Sequence, residues 1–351
     1  MRSVPFGIVQ ILLEKLCADD LVGDTMSVVN VAFYGSDDLA RELAKKSDSR
    51  DIDSYVFKDT SSGPTRILSL LRPLKHPDSI RPLLSVLNVS RVGFIEVSKI
   101  DSSLGEVLVA MKCSGIESGI AIITQDTESW VDPDQVRLIF QQVELEWEIL
   151  ENTPEPHELR EKFFSLHTEK DGDDSLLVPI DQKFNVQGIG VVGIGYVQSG
   201  TIKRHDQIEI IPGGKTGVVR SLQVMDDDVE DASSGDRVGV ALRGVDENSL
   251  AKGSLIVHQG SESLSEVLSS TYKLRKSKFQ KRSLSINDVV HASTNLQFKV
   301  GRIVGMEGEM ITIDWESPLV IRKDSDEAVV IVQLDAVPMR VIGAITESSS
   351  A

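Results

Sequence analysis

Cysteine is almost absent: Cys17 and Cys113 are the only two in 351 residues, and they form no C-x-x-C pair. That excludes a disulfide scaffold and a cysteine-bound zinc site, and so few thiols suit a reducing cytosol. No apolar run approaches the roughly 20 residues a membrane-spanning helix needs. Positive charge is short as well: 37 Lys and Arg stand against 54 Asp and Glu, a formal net charge of −17. Such a surface does not coat nucleic acid, so DNA is not an expected partner, although RNA contact through a local basic patch stays open. The six histidines (76, 157, 167, 205, 258 and 291) show no metal-ligand spacing. No nucleophile elbow, paired-carboxylate site or Ser-His-Asp arrangement stands out, so the sequence offers no metal site.

What is present is an ordinary globular composition, 40% hydrophobic and 26% charged, in a chain long enough for two or three domains. At the amino terminus Ile8, Ile11, Leu12, Lys15 and Leu16 fall at helical spacing. Glu14 and Lys15 cut the apolar stretch short and no small-residue cleavage pattern follows, which predicts a short amphipathic helix rather than a signal peptide. Residues 1–25 are therefore an expected extension, and a cytoplasmic location is expected.

From Met26 to about His167, short apolar runs alternate with helical stretches. Val28 to Tyr34, Arg66 to Leu71, Val92 to Val97 and Gly119 to Thr124 read as buried strands. Leu39 to Lys46, Ser79 to Leu87, Gly105 to Ser114, Pro133 to Gln142 and Glu155 to His167 read as helices. That alternation predicts an α/β domain with a parallel sheet covered on both faces. Glu169 to Asp174 is a polar linker. Beyond it come short strands separated by Gly-rich turns: Leu176 to Val178, Gly190 to Tyr196, Gln207 to Ile211, Thr216 to Met225 and Arg237 to Leu242. They predict an antiparallel barrel, with a second strand-rich unit from about Leu264 to Thr346. Pro212-Gly-Gly-Lys215 is an expected hairpin turn, and Asp226 to Asp231 an acidic loop rather than a metal site. The glycines at 188, 190, 193, 195 and 200 suggest bulges, barrel corners and positive-φ turns. The expected units are 26–170, 174–260 and 261–351.

The stretch from Val178 to Gly200, with Phe184 inside it, resembles the second domain of elongation factor Tu and its relatives. Ile202-Lys203, Val219 to Val224, Ala232 to Gly235, Arg237 to Gly244 and Ala251-Lys-Gly-Ser-Leu-Ile256 follow in the family's order. The Arg-Val-Gly form at Arg237 is most similar to the selenocysteine-specific branch and its archaeal relatives. A looser likeness continues through Lys278-Phe279 and Met339 to Ile345. The resemblance spans roughly 27–347 and implies a P-loop-type GTPase domain followed by two barrels, with GTP, Mg²⁺, charged tRNA and the ribosome as the family's cofactors and partners. It also implies that Phe184 walls the pocket for the aminoacyl end, a physically sensible use of an aromatic ring; a barrel-core position is the alternative. Asp181, Gln182 and Lys183 stand where the family usually has acidic residues.

The nucleotide motifs depart from that resemblance. A phosphate loop needs G-x-x-x-x-G-K-[ST], its Lys on the β- and γ-phosphates and its hydroxyl on magnesium. Here the sequence is Gly35-Ser-Asp-Asp-Leu-Ala40-Arg41-Glu42, which puts Arg41 at the lysine and Glu42 at the hydroxyl. One carboxylate about 4 Å from a phosphate charge costs on the order of 4 kcal/mol at an effective dielectric near 20. The D-x-x-G-H turn would fall at Arg72 to His76. It places Arg72 at the aspartate, Lys75 at the glycine and His76 at the family's catalytic histidine, unless His76 is a solvated loop residue. The guanine-reading N-K-x-D would fall at Thr124, Gln125, Asp126 and Thr127, with Asp126 one position early. The interval from Gly35 to Arg72 is short for a full effector switch.

One local inversion of charge remains, Tyr272 to Arg282, in which Lys273, Arg275, Lys276, Lys278, Lys281 and Arg282 accompany two aromatic rings. Such a strip can neutralise phosphates and stack on bases, or it can be an edge strand charged against aggregation. Together with Asp181, Phe184 and Arg237 it forms the expected RNA contact. The expectation is a translation-factor-like protein that binds charged tRNA or the ribosome with GTP binding and hydrolysis weakened or lost. A divergent live GTPase using Arg41 against the phosphates, or a barrel module that binds a protein, are the alternatives.

Overall fold

The computed structural model describes residues 27–347 apart from 62, 126–129, 167–174, 324 and 326. The expected amino-terminal helix, the linker, His167 and Asp126 thus lie outside the described residues.

The first unit is a seven-stranded sheet of order β2-β3-β4-β1-β5-β6-β7. Its strands are β1 (Ser27–Tyr34), β2 (Lys45–Ser49), β3 (Ile52–Asp59), β4 (Arg66–Pro73), β5 (Val92–Val97), β6 (Ser118–Ile123) and β7 (Glu148–Leu150). Strands β4, β1, β5, β6 and β7 run parallel, and β2 and β3 are antiparallel additions at one edge. The helices are α1 (Asp37–Leu43), α2 (Arg81–Val89), α3 (Ser102–Cys113), α4 (Pro133–Val143) and α5 (Pro156–Leu166). Because side chains alternate along a strand, Val29, Val31 and Phe33 of β1 pack towards α1 and α5, while Ala32 faces α2, α3 and α4. Both faces are therefore buried, which explains the near-continuous apolar strands. At the far edge Trp147 lies flat over Gly93 and Gly119, where a Cβ would come within 2.0 and 2.7 Å of the indole.

One reading of this unit needs correction. The helix expected to reach Lys46 ends at Leu43, and Lys45 and Lys46 already belong to β2. The interval from Gly35 to Arg72 holds a β2–β3 hairpin, whose polar strand β2 is the sheet edge.

The second unit contains β8 (Val178–Val186), β9 (Gly190–Tyr196), β10 (Thr201–Lys203), β11 (Gln207–Ile211), β12 (Lys215–Val224), β13 (Asp227–Val229), β14 (Asp231–Ser233), β15 (Arg237–Arg243) and β16 (Leu255–His258). The order β11-β16-β8-β9-β15-β12 closes through β11–β12 pairing into a six-stranded antiparallel barrel. The supposed acidic loop forms β13, hairpin-paired to β12. Gly188, Gly190 and Gly200 have positive φ, whereas Gly195 is needed for space, since a Cβ there would meet the Pro179 carbonyl oxygen at 2.3 Å.

The third unit closes a second barrel of order β17-β20-β19-β18-β21-β22. It is built from β17 (Leu264–Lys276), β18 (Val289–Thr294), β19 (Gln297–Glu307), β20 (Met310–Arg322), β21 (Val329–Val332) and β22 (Val341–Glu347). The expected α/β sheet followed by two antiparallel barrels is the architecture observed.

The three units share a core. Tyr196 of the first barrel and Leu296, Val330, Val332 and Val341 of the second join the apolar cluster under α2 and α3. Asn88 of α2 stands at the junction: its Oδ1 accepts from Leu296 N at 3.0 Å, and its carbonyl accepts from Gln198 Nε2 at 2.6 Å.

Candidate functional site

The turn after β1 is where a phosphate loop would lie. Only Gly35 and Ser36 separate β1 from α1, so the chain has no arch in which to cradle phosphates. Ser36 caps α1, its hydroxyl accepting from Leu39 N at 3.2 Å. The Ser36 amide, a free donor that a phosphate would normally take, donates instead to Glu96 Oε2 at 2.6 Å. Arg72 Nε donates to the Gly35 carbonyl at 2.6 Å and holds the turn from the other side. Counting from Gly35 places Arg41 at a lysine position, but Arg41 belongs to the last turn of a seven-residue helix and is paired with Asp37. That ion pair and the Tyr55 hydroxyl hold the Asp37 carboxyl well below its ordinary range. Behind it, Lys46 bridges Asp53 at 2.7 Å. Glu42, next to Arg41, is exposed on the same last turn.

The other nucleotide positions are likewise engaged. Gln125 clasps Val131, its Nε2 donating to the carbonyl and its Oε1 accepting from the amide, both at 2.9 Å. The Thr124 hydroxyl is buried without a partner among the described residues. His76 is not a solvated loop residue: its side chain is fully buried, with Nε2 2.9 Å from Glu106 Oε2. Glu106 is 1% exposed and also accepts from Arg340 N at 2.7 Å, from Arg340 Nε at 3.0 Å and from the Arg340 guanidinium terminus. Burial alone would raise the Glu106 pKa, but His76 and Arg340 outweigh it and hold the carboxyl at about 2. The residue at the family's histidine position thus belongs to a buried seam between α3 and the second barrel.

In the first barrel Phe184 is 46% exposed near the end of β8 and is not a core residue. Asp181, on the same strand, bonds Lys252 Nζ at 2.8 Å and Gln182 Nε2 at 3.0 Å. Arg237 reaches across to Asp48 of β2 at 3.1 Å. The basic strip is more interlocked than its sequence implies. Tyr272 points into the barrel at 1% exposure, so its ring is not available for stacking, and Phe279 packs half-buried against the shared core. Lys278 pairs with Glu144 at the end of α4, Arg282 with Asp335, and Lys273 with Glu309. Lys276 donates to the Arg282 carbonyl. Arg275 and Lys281 remain exposed.

The structure also assembles a site that the sequence reading missed. A cleft of about 540 Å³ opens where all three units meet, lined by Lys75 and Arg81 of the first, Lys252 of the second, and Phe298 and Lys299 of the third. Asp51, bonded to Lys75 at 2.7 Å, is its carboxylate. The Arg81 guanidinium lies 4.6 Å from the centre of the Phe298 ring, which His291 backs at 5.1 Å. Burial pulls the Lys299 pKa down from its ordinary value. The ring is thus covered by Arg81 and His291, and the positive groups around it suit a phosphate-bearing ligand. Lys252, inside Ala251-Lys-Gly-Ser, and Lys75, inside the Arg72 to His76 turn, lay in segments whose pattern stood out; Arg81, Phe298 and Lys299 arrive singly from distant stretches.

Among the described residues no group of three or more His, Cys, Asp or Glu could hold a metal ion. No helix among them is long and apolar enough to cross a membrane.

Residues 190–257 match the family model of elongation factor Tu domain 2. An uncharacterized protein of Methanocaldococcus jannaschii is 32% identical over 233 residues, which is 66% of this chain and 72% of that one. The selenocysteine-specific elongation factor of the same organism is 30% identical over 47% of this chain, but only 35% of its own length is matched. Elongation factor 1-alpha of Saccharolobus solfataricus is 35% identical over 86 residues, 20% of its length. Two solved structures share the fold across 92% of this chain. SelB from Methanococcus maripaludis, in complex with the GTP analogue GppNHp, has a TM-score of 0.75 at 19% identity and is covered over 79% of its chain. A bacterial selenocysteine-specific elongation factor has a TM-score of 0.73 at 18% identity and is covered over 58%.

Proposed function

Since the chain belongs to the elongation factor Tu and selenocysteine-specific elongation factor family, we propose that it is a cytoplasmic translation factor that holds charged tRNA without a GTP cycle. The observation that carries this reading is the turn at Gly35 and Ser36. A carboxylate already occupies the amide that a phosphate would use, at 2.6 Å. A phosphate brought to the same amide faces that charge at a cost of several kcal/mol in a partly buried setting. Arg41 is not placed to compensate, because it stands a full turn into α1 and is paired with Asp37, and Glu42 beside it only adds negative charge. GTP binding and hydrolysis are accordingly weakened or lost.

The tRNA side of the proposal draws on the three-unit cleft and on Phe184. Lys75, Arg81, Lys252 and Lys299 offer positive charge in a chain of net −17, and Phe184 offers an exposed ring on the barrel that the family model matches. Asp181, Arg237 and the exposed cations Arg275 and Lys281 are further candidate contacts.

Two titrations test the proposal. A fluorescent GTP analogue and GDP, with and without Mg²⁺, should give no saturable binding up to about a millimolar. Guanine-selective micromolar binding would refute the first half. Charged tRNA should be retained at low salt, and Arg81→Gln with Lys299→Gln should weaken retention and flatten its salt dependence. A protein that retains neither charged tRNA nor ribosomes at low salt would refute the second half.

A further inference from the structure

A second basic feature lies at the β2 edge of the sheet, beside the helix that carries Arg41 and Glu42. An open notch of about 440 Å³ is walled by the end of α1, by β2 and β3, and by α5. Its lining carries Arg41, Lys45, Lys46, Lys58 and Arg160 against the single carboxylate Glu42. Some of this charge is consumed internally: Arg41 is paired with Asp37, and Lys46 with Asp53. Arg160 is fixed, its Nε donating to the Leu43 carbonyl at 2.8 Å and its guanidinium stacked 4.0 Å from the centre of the Phe57 ring. Lys45 and Lys58 are exposed, and among the described residues neither has a carboxylate partner. Register places Lys45 opposite Val56, so Lys58 is its diagonal neighbour on the adjacent strand. Such pairs stand roughly 7 to 8 Å apart at Cα, a spacing that two successive phosphates of one strand can bridge.

We infer that this notch is a second RNA-contact surface, binding the phosphodiester backbone through Lys45, Lys58 and Arg160 at a place separate from the three-unit cleft. The inference rests on the RNA-binding reading above and extends it to the edge of the first unit. In a strongly acidic chain a polyanion is repelled over most of the surface, so a small net-positive notch decides where its backbone comes to rest. The chemistry is that of phosphate charge without base reading, because the notch presents lysine tips and no free aromatic face.

The test uses the full chain, with labelled poly(U) and total charged tRNA as probes, across a salt series. Lys45→Gln with Lys58→Gln removes two surface charges and keeps the side-chain stems. The slope of log affinity against log salt should fall by about 1.4 for poly(U), since each phosphate contact contributes about 0.7 on a single strand. An unchanged slope in this variant, while Arg81→Gln with Lys299→Gln does lower it, would overturn the notch and leave the proposed function standing. No retention of either RNA by the unaltered protein would overturn both together. Displacement of poly(U) from the unaltered protein by a free nucleoside triphosphate, lost in the lysine variant, would make the notch a nucleotide site and overturn the inference. Aggregation of the lysine variant with unchanged RNA binding would mark the lysines as edge-strand protection, which also overturns it.

Discussion

Replacing Glu106 by Gln tests the seam that joins α3 to the second barrel. The carboxylate accepts five hydrogen bonds, four from Arg340, whose Nε is shared between both oxygens, and one from His76, while only 1% of the residue is exposed. The substitution keeps the shape but leaves the Arg340 guanidinium buried without its counter-charge. Removing one partner of a buried pair costs about 3–5 kcal/mol. A second route gives a similar figure: a carboxyl held at about 2 instead of 4.5 is favoured in its ionised form by about 3 kcal/mol, at about 1.36 kcal/mol per pH unit. Because the folded-state value is depressed, this stability is fully present above pH 4.5 and is lost as pH falls towards 2. Urea denaturation of the native chain and of Glu106→Gln should therefore differ by about 3 kcal/mol at pH 7 and converge only as pH approaches 2. Limited proteolysis should show the second barrel released first in the variant. A difference below about 1 kcal/mol at pH 7, or one that does not change with pH, would refute the assignment of a charged, load-sharing seam.

Two further substitutions address other parts of the molecule. Gly93→Ala would drive a methyl to within 2.0 Å of the Trp147 indole; a loss of about 1–3 kcal/mol is expected, with a changed tryptophan emission, and an unaltered Tm would contradict the packing. Asp236 is buried with its Oδ1 unpartnered, and burial raises its pKa to about 6 against the single bond from Ser233 N. A raised carboxyl value penalises the folded state above pH 6, and the penalty fades as pH falls towards 3.8. Asp236→Asn should thus raise Tm at pH 8 and change little at pH 4; the reverse ordering would count against it.

How much of this was readable from the chain depends on how local each signal is. The apolar runs of β1, β4, β5 and β6 are buried on both faces, so they stand out as continuous hydrophobic stretches, and the glycine spacing of β8 and β9 marks a barrel before any contact is known. Strand β2, Lys45–Ser49, escaped because a polar edge strand has no apolar alternation to read. Helix α1 was read too long because Ala44 and Lys45 continue a helical composition, and only pairing with β3 ends it. Arg41 was placed at a lysine position by counting from Gly35 as though the loop were full length. Nothing within that segment reveals that Glu96, 60 residues away, fills the amide of Ser36. The cleft was invisible for the same reason, since its cations come from three separate units and none lies in a dense run.

The altered motifs acquire a shared logic when followed along β4 and the turn after it. Arg72 holds the collapsed turn at Gly35, and His76, four residues on, holds Glu106 in the barrel seam. Pro73 and Pro77 stiffen the backbone next to each anchor. A short, stiff segment with one anchor at the Gly35 turn and the other in the seam couples the two directly. Independent anchors would have destabilisations that add within about 0.3–0.5 kcal/mol. A double-mutant cycle on Arg72→Ala and Glu106→Gln is expected to exceed that limit, the double variant losing less than the sum because the first break already slackens the second anchor. Strict additivity would mean that the turn and the seam are two unrelated repairs, and the segment between them a plain connection.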